Sequence, residues 1–149
     1  MDIFNATNQP VEITAEGVKI LIGPSTVGAI GELVGWVRRK MVDTDLGDPG
    51  RLSMAELRLR HKLAWETAST VDMGTRLFNN EMASISGLAK WLQVHATLAT
   101  PNEPMDYDAA FQAMTAMDAD EVTAFYLAKE QVNTPAHPTE PETAKKPKD

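Results

Sequence analysis

The stretch from Lys19 to Met41, KILIGPSTVGAIGELVGWVRRKM, joins two kinds of hydrophobic pattern at a Gly-Pro pair. Before Pro24 the chain has the two-residue period of a strand, and after it apolar residues recur at the three- and four-residue steps of a helix. Gly-Pro favours a break between two such elements. The stretch therefore predicts a strand that leads into a helix, and the rest of the chain must pack around that unit.

The predicted helix carries two neighbouring stripes and ends with the cations Arg38, Arg39 and Lys40. The apolar stripe, which we expect to be buried, consists of Val27, Ile30, Val34, Val37 and Met41. The second stripe consists of Gly28, Gly31 and Gly35. Each helical Gly costs about 1 kcal/mol relative to Ala, so we expect another backbone to pack closely against this stripe.

A β-hairpin is predicted ahead of this helix. Val11–Thr14 and Val18–Ile20 alternate apolar and polar residues on either side of Ala15-Glu16-Gly17. Gly17 can take the left-handed backbone conformation that a tight hairpin turn requires. Because an isolated hairpin is marginally stable in water, we expect its apolar face to pack on a helix. That face consists of Ile13, Val18, Ile20 and Ile22.

A second helix is predicted to begin at the capping box Ser53-Met54-Ala55-Glu56 and to run to about Met73, before Gly74. Its inner stripe is Met54, Leu57, His61, Ala64, Ala68 and Val71. A further helical stretch is expected within Arg76–Leu98, with an interruption at Asn79–Asn80 or Ser84–Ser86. Pro101 and Pro104 then impose a break.

Two more helices follow the proline break. The first is capped by Asp106, and the last is capped by the pair Asp118 and Glu121, with Met117 and Val122 as a hydrophobic staple. The chain thus predicts a mainly α protein: an N-terminal β-hairpin followed by a bundle of four to five helices, in a single domain over residues 1–132.

The last segment, 133–149, reads NTPAHPTEPETAKKPKD and has no large apolar residue that could build a core. We expect a disordered C-terminal tail, since such composition cannot compensate the entropy of ordering. Its prolines repeat every third residue, which is the polyproline II period. The tail is therefore interpreted as a linker, with peptide docking as the alternative.

Charge and composition exclude several classes of protein. The formal net charge is −7, which disfavours a main task of holding a nucleic-acid backbone. The chain has no Cys, so disulfides, thiolate nucleophiles and Cys-ligated metals are excluded. We expect a cytoplasmic protein, because the N-terminal residues have no secretory pattern and no apolar run is long enough for a membrane span.

One segment departs from this acidity. Between Arg38 and Lys62 seven Lys or Arg stand against four Asp or Glu. The predicted basic patch consists of Arg38, Arg39, Lys40, Arg58, Arg60 and Lys62. Such a patch can meet an acidic partner or this protein's own acidic C-terminal helices, although a solvated surface is the plainer interpretation.

No motif in the sequence predicts catalysis, a metal site or a cofactor. After Gly23-Pro24-Ser25-Thr26-Val27-Gly28 the chain continues with Ala29 and Ile30, where a phosphate loop needs Lys and Ser or Thr. Asp43–Gly50 lacks the Gly and Glu positions of a calcium loop. His61, His95 and His137 do not have metal-ligand spacing. We therefore predict a protein that is not an enzyme.

Methionine is the more informative residue type. Flexible thioethers suit surfaces that accept several apolar shapes, although core filling is the common alternative. The residues predicted to bind a partner are Met54, Met73, Met82, Met114 and Met117, with Phe125 and Tyr126 of the last helix.

The chain resembles the phage tail assembly chaperones of long-tailed bacteriophages. Those proteins often have a short β element followed by Pro-x-Thr-hydrophobic-Gly at a helix start, which Pro24–Gly28 matches, and a late helix with an acidic capped turn, which Asp118–Val122 resembles. Ala29, where an acidic residue is common in the family, and the segment around Pro101–Pro104 depart from the pattern. The resemblance implies binding of the helix-rich tape measure protein and recruitment of tail tube protein in the cytoplasm of the host cell, without a catalytic site.

Two other functions are compatible with the sequence. A structural phage protein would join subunits in the finished particle, and a helical DNA-binding regulator would use Ser53–Lys62 as a basic recognition helix. Self-association as a homo-oligomer is compatible with either. The family often extends its short product by frameshifting, and Ala144-Lys145-Lys146 is a candidate position for such a shift.

Overall fold

The computed structural model describes residues 9–46 and 49–133. The strands are β1 (Val11–Ala15), β2 (Val18–Ile22), β3 (Ala96–Ala99) and β4 (Asn102–Pro104). The helices in this part of the chain are α1 (Val27–Leu46), α2 (Met54–Ala68), α3 (Arg76–Met82), α4 (Ile85–His95), α5 (Tyr107–Ala116) and α6 (Ala119–Asn133), with a short 3-10 turn at Pro49–Arg51. The predicted disordered tail lies, apart from Asn133, outside the described residues.

The fold class is confirmed, since the protein is mostly helical with an N-terminal hairpin. The predicted turn is also present: Glu16 and Gly17 both have positive φ, at 54° and 81°. The stretch within Arg76–Leu98 divides into α3 and α4 because Ser84 caps α4, its hydroxyl accepting a hydrogen bond from the backbone N–H of Gly87 at 3.0 Å. The described helices therefore number six rather than four to five.

Two strands were not predicted. The hairpin is half of a four-stranded antiparallel sheet in the order β1-β2-β3-β4, in which Ile20 lies opposite Leu98 and Thr97 opposite Pro104. The helical stretch expected to reach Leu98 ends at His95, where the chain becomes extended. The strand β3 is not apparent from the sequence because its partner β2 lies more than 70 residues away, and β4 pairs only with β3.

The main core lies between the sheet and the helices α1, α3, α4, α5 and α6. Its most completely buried large side chains are Phe125, Ile20, Ile22, Leu92, Val37 and Val71. A second, smaller cluster joins α2 to the C-terminal half of α1 and consists of Val42, Ala64 and Ala68, with Met41 and Leu46 beside them. The helix α2 is thus attached to the body mainly through alanines.

The prediction for the two stripes of α1 is partly wrong. Val27 is 89% exposed because it is the first residue of the helix and extends past the core. An added Cβ at Gly31 would meet nothing within 4 Å, and one at Gly28 only the Thr26 hydroxyl at 3.8 Å. The glycine that is closely approached is Gly87, where a Cβ would lie 2.6 Å from Met82 Cα and overlap the Glu81 carbonyl.

The extents of α1 and α2 also differ from the prediction. The helix α1 continues past Arg38, Arg39 and Lys40 to Leu46. The helix α2 ends at Ala68, five residues before Met73, and Val71 is buried in the following loop. Met54 and His61, expected on the inner stripe of α2, are exposed.

Candidate protein-binding surfaces

The helix α2 begins where the sequence places it, at the capping box of Ser53 and Glu56. The Ser53 hydroxyl accepts from the Glu56 N–H at 3.2 Å, and the Glu56 carboxylate accepts from the Ser53 N–H at 3.1 Å. These hydrogen bonds, the backbone one first, lower the pKa of the Glu56 carboxyl. The box therefore fixes the first turn of a helix that has little core to hold it.

The other end of α2 is held by Arg38 of α1. The Arg38 guanidinium donates to the carbonyl of Val71 at 2.8 Å and to that of Ser69 at 3.3 Å. These carbonyls follow the end of α2, where helix carbonyls need partners. Arg38 was predicted as part of a basic patch, but its hydrogen-bonding groups face the protein's own backbone.

The outer side of α2 carries two leucines in open solvent. Leu59 and Leu63 are 58% and 52% exposed, and their four-residue spacing places them one above the other on the helix. By helical geometry Arg60 and Lys62 lie on opposite sides of this leucine line, and both are exposed. We call these four residues the α2 ridge.

The α2 ridge has the chemistry of a docking surface for another helix. Two leucines at i and i+4 present a narrow apolar line to a groove or an amphipathic helix. Cations on both sides favour carboxylates in the partner. Glu66, at i+3 from Leu63, marks the C-terminal limit of the apolar line.

A groove between α1 and the start of α4 and α5 is the second candidate surface. It encloses about 480 Å³ and is lined by Trp36, Arg39, Lys40, Asp43, Ser86 and Tyr107. The Trp36 and Tyr107 rings lie 6.4 Å apart, and the Tyr107 hydroxyl donates to the Ser86 carbonyl at 3.4 Å. This aromatic groove combines apolar walls with a rim of mixed charge.

The predicted basic patch is divided between these two surfaces. Arg39 and Lys40 lie at the aromatic groove, where the Lys40 ammonium forms an ion pair with Glu81 and lies 5.0 Å from the centre of the Trp36 ring. Arg58, Arg60 and Lys62 are exposed on α2. The six cations therefore do not form one continuous site.

The predicted partner-binding residues are also dispersed. Met54, Met73 and Tyr126 are exposed, whereas Met117 is half-buried against the core. Met82, Met114 and Phe125 lie inside the core. Met82 lies on the inner face of α3, Met114 on that of α5 and Phe125 on that of α6. The two methionines therefore fill the core, which is the common alternative use of a flexible thioether.

Sequence reasoning missed the residues of the α2 ridge. Leu59 and Leu63 were not nominated because the helix was expected to bury a stripe that includes Met54 and His61. A signal was available: leucines at i and i+4 lie opposite Ala64 and Ala68, so a helix with both sets has two apolar sides. Only one of the two can face the body.

His95 and Ser25 form a contact with the geometry of a nucleophile and base. His95 Nε2 lies 3.0 Å from Ser25 Oγ, and Nδ1 lies 2.9 Å from the Trp91 carbonyl. The imidazole is buried and stacked on Trp91 at 4.1 Å, and burial lowers the pKa of His95. We interpret the pair as a link that fastens the β2–α1 connection to the end of α4.

The described residues offer no group of three or more His, Asp or Glu able to hold a metal ion. None of the helices in this part of the chain is long and apolar enough to cross a membrane. Comparison with known protein families, with characterised proteins and with solved structures finds no match to this chain. The surfaces themselves are therefore the observations that bear on function.

Proposed function

We propose that this protein is a phage tail assembly chaperone that binds the tape measure protein and helps recruit tail tube subunits during tail assembly. The observation that carries the proposal is the α2 ridge: two exposed leucines one turn apart, flanked by cations, on a helix attached to the body through alanines. A long helical client with apolar and acidic residues on one side fits such a surface.

Two segments named for the family resemblance form local structures that are consistent with it. In Pro24–Gly28 the Thr26 hydroxyl accepts from the Ala29 N–H at 3.0 Å at the start of α1. In Asp118–Val122 the Asp118 carboxylate accepts from the Glu121 N–H at 2.8 Å, and the Glu121 carboxylate accepts from the Asp118 N–H at 3.1 Å. Both segments therefore begin helices, as the resemblance requires.

Co-purification tests the proposal. The full chain is expressed together with the tape measure protein encoded in the same genome, and recovery of that protein with the chain is measured. The double change Leu59→Glu and Leu63→Glu should abolish recovery, since it removes the apolar line and adds charge that repels an acidic client. Val27→Glu is the matched control, because it places the same carboxylate on another exposed apolar position.

The proposal fails if the tape measure protein is not recovered with the unaltered chain, if the double variant retains it, or if Val27→Glu loses it as well. A thermal melt of each variant accompanies the experiment. Since Leu59 and Leu63 are largely exposed, their replacement should leave the melting temperature close to that of the unaltered chain.

A structural adaptor that stays in the particle is the second candidate, and the presence of two separate surfaces favours it. The α2 ridge and the aromatic groove belong to different sets of elements, so each offers contact to its own partner. Mass spectrometry of purified particles separates the two functions. An adaptor is present in stoichiometric amount, whereas an assembly chaperone is absent.

DNA binding is the third function considered, and only Arg58, Arg60 and Lys62 favour it, since all three are exposed on α2. A regulator would shift a DNA probe at low salt and release it as salt rises. The leucines between these cations would face the phosphate backbone, which offers no apolar contact. We therefore expect no shift of a duplex probe, even at low salt.

A further inference from the structure

The aromatic groove has the walls that a proline-rich peptide needs. The Trp36 and Tyr107 rings lie 6.4 Å apart with an angle of 37° between their planes. Both side chains are half-buried, so each packs partly on the core and keeps part of its surface open. Aromatic-lined grooves are the surfaces on which polyproline II segments dock in peptide recognition.

The Trp36 side chain is held in place and still has a hydrogen-bond donor to offer. The Lys40 ammonium lies 5.0 Å from the centre of its ring and is itself ion-paired with Glu81. Among the described residues the Trp36 indole N–H has no hydrogen-bond acceptor. A polyproline II segment makes no internal hydrogen bonds, so its carbonyls are available to such a donor.

The segment 134–149 of the same chain has the matching pattern. Pro135, Pro138 and Pro141 recur every third residue, so in a polyproline II helix they lie on one side. The segment carries both Glu and Lys, and the rim of the groove carries both signs in Arg39 and Asp43. Charge therefore does not oppose the contact, and the proline pattern is what selects the segment.

The segment begins within reach of the groove. The helix α6 ends beside the start of α1, where the Ser25 N–H donates to the Val132 carbonyl at 3.5 Å. From the first residue of α1 to Trp36 the distance along the helix is about 14 Å. In a polyproline II helix Pro138 lies about 16 Å beyond the end of α6. The middle proline of the three can therefore arrive at the aromatic groove.

The helix α4 gives a second measure of the same distance. Its last residue, His95, contacts Ser25 at 3.0 Å, and Ser86 near its start lines the groove. The span from Ser86 to His95 is about 14 Å along the helix. The surface of α1 between these two points is open on one side, since an added Cβ at Gly31 would meet nothing within 4 Å. The segment thus has an open surface to follow.

We propose that the segment 134–149 docks in the aromatic groove of its own copy, with Pro138 on the Trp36 and Tyr107 rings. Attachment to α6 makes the contact intramolecular, so a weakly binding peptide still occupies the groove for much of the time. The docked segment covers the aromatic walls. Another protein that uses the groove must therefore displace it.

This inference does not rest on the proposed chaperone function, which depends on the α2 ridge. Substitutions in the segment 134–149 should leave recovery of the tape measure protein unchanged. Failure of the one proposal is therefore distinguishable from failure of the other.

A spin label tests the contact in the full chain. The chain has no Cys, so Ala144→Cys gives a single attachment point for a nitroxide, three residues after Pro141. The reporter is the NMR signal of the Trp36 indole N–H, which is assigned by its loss in Trp36→Phe. We expect the nitroxide to broaden this signal, and chemical reduction of the label to restore it.

Two matched sets of substitutions in the labelled chain separate docking from mere tethering. The first set replaces the three prolines: Pro135→Ala, Pro138→Ala and Pro141→Ala. The second set keeps the prolines and replaces three threonines: Thr134→Ala, Thr139→Ala and Thr143→Ala. The proline set should remove most of the broadening at Trp36, whereas the threonine set should retain it. Equal broadening in the two sets, or none in the labelled chain without them, would overturn the proposal.

A mixed sample shows which copy supplies the segment. An isotope-labelled chain without the nitroxide is mixed with a chain that carries the nitroxide and no isotope. We expect no broadening of the Trp36 signal in this mixture. Broadening would overturn the contact within one copy and assign the groove to the segment of another copy.

Tyr107→Ala tests the groove itself. It removes one aromatic wall and should also reduce the broadening at Trp36. A thermal melt shows whether this variant is folded, and if it is not, the proline set still decides, because it leaves every described residue unchanged. Undiminished broadening in a folded Tyr107→Ala variant would show that the segment lies elsewhere on the surface.

Discussion

The helix α2 is packed differently from the body of the molecule, by which we mean the sheet and the helices α1 and α3 to α6. In the body, side chains as large as Phe125, Ile20 and Leu92 are completely buried between the sheet and the helices packed on it. The helix α2 buries Ala64 and Ala68 and leaves Leu59 and Leu63 outside. The difference shows that the body buries its largest apolar side chains, whereas α2 buries no residue larger than alanine and leaves its leucines where another molecule can reach them.

The largest expected difference is in the free energy of unfolding when one leucine of the body and one leucine of α2 are each replaced by alanine. Leu92→Ala should lower the free energy of unfolding by about 2–5 kcal/mol, since it leaves a cavity in the core. Leu63→Ala should change it by no more than about 0.5 kcal/mol, as is usual at an exposed position. Urea denaturation of both variants measures the two values. A comparable loss for both would mean that α2 is part of the core.

Two glycines within the body differ in the space around them, and replacing each by alanine tests that difference. Gly87→Ala should destabilise by about 1–3 kcal/mol, because its Cβ would overlap the Glu81 carbonyl where α3 meets α4. Gly31→Ala should stabilise by up to about 1 kcal/mol, since its Cβ meets nothing and alanine favours a helix. Thermal melts of the two variants should therefore shift in opposite directions. A shift in the same direction would contradict the packing described at one of the two sites.

The attachment of α2 can be weakened at its first turn. Ser53→Ala removes the hydroxyl of the capping box and should cost about 1 kcal/mol. Because α2 has little core of its own, we expect the loss to appear as local opening. Amide hydrogen exchange should become faster in the first turn of α2 and stay unchanged in α4. Equal acceleration in both helices would show that α2 unfolds only together with the body.

The smallest expected change is in the pH dependence of stability, and it comes from the titration of His95 in the body. Burial, the first cause, and the Lys129 cation lower its pKa below the ordinary 6.5, against the opposing effects of the Trp91 carbonyl and Glu32. Below about pH 6.5 the unfolded chain therefore takes up a proton that the folded chain resists, so stability is complete above that pH and falls as the pH drops toward the folded pKa.

The His95 effect is measured as the urea midpoint between about pH 8 and about pH 5. His95→Gln is the control, since it removes the titrating group, and its midpoint should depend less on pH than that of the unaltered chain. Equal slopes would assign the pH dependence to other groups.

Local signals in the sequence predicted the local structures correctly. The hairpin turn at Glu16-Gly17 and the capping boxes at Ser53 and Asp118 depend on residues within three or four positions of one another. The strand β3 could not be found this way, because Ala96–Ala99 becomes a strand only through pairing with β2. Its apolar residues fit a helical period equally well.

The candidate surfaces also depend on contacts between residues that are distant in the sequence. The sequence identified Arg58, Arg60 and Lys62 as cations, but which apolar side of α2 faces the body depends on how closely α1 approaches. Small side chains at Ala64 and Ala68 allow that close approach, so the alanine side of α2 packs on α1 and the leucine side faces solvent. The aromatic groove joins Trp36 to Tyr107 across 71 residues, and no local pattern indicates such a meeting.

The meeting of the hairpin with α6 has a practical consequence for any fusion of this protein. Val11 lies opposite Ile22 in the sheet, and Val132 contacts Ser25 three residues further on. The chain therefore enters and leaves the described fold at a single corner, next to the start of α1. A tag that replaces the residues before Val11 or those after Val132 would be attached at that corner, at the far end of α1 from the contact with α2.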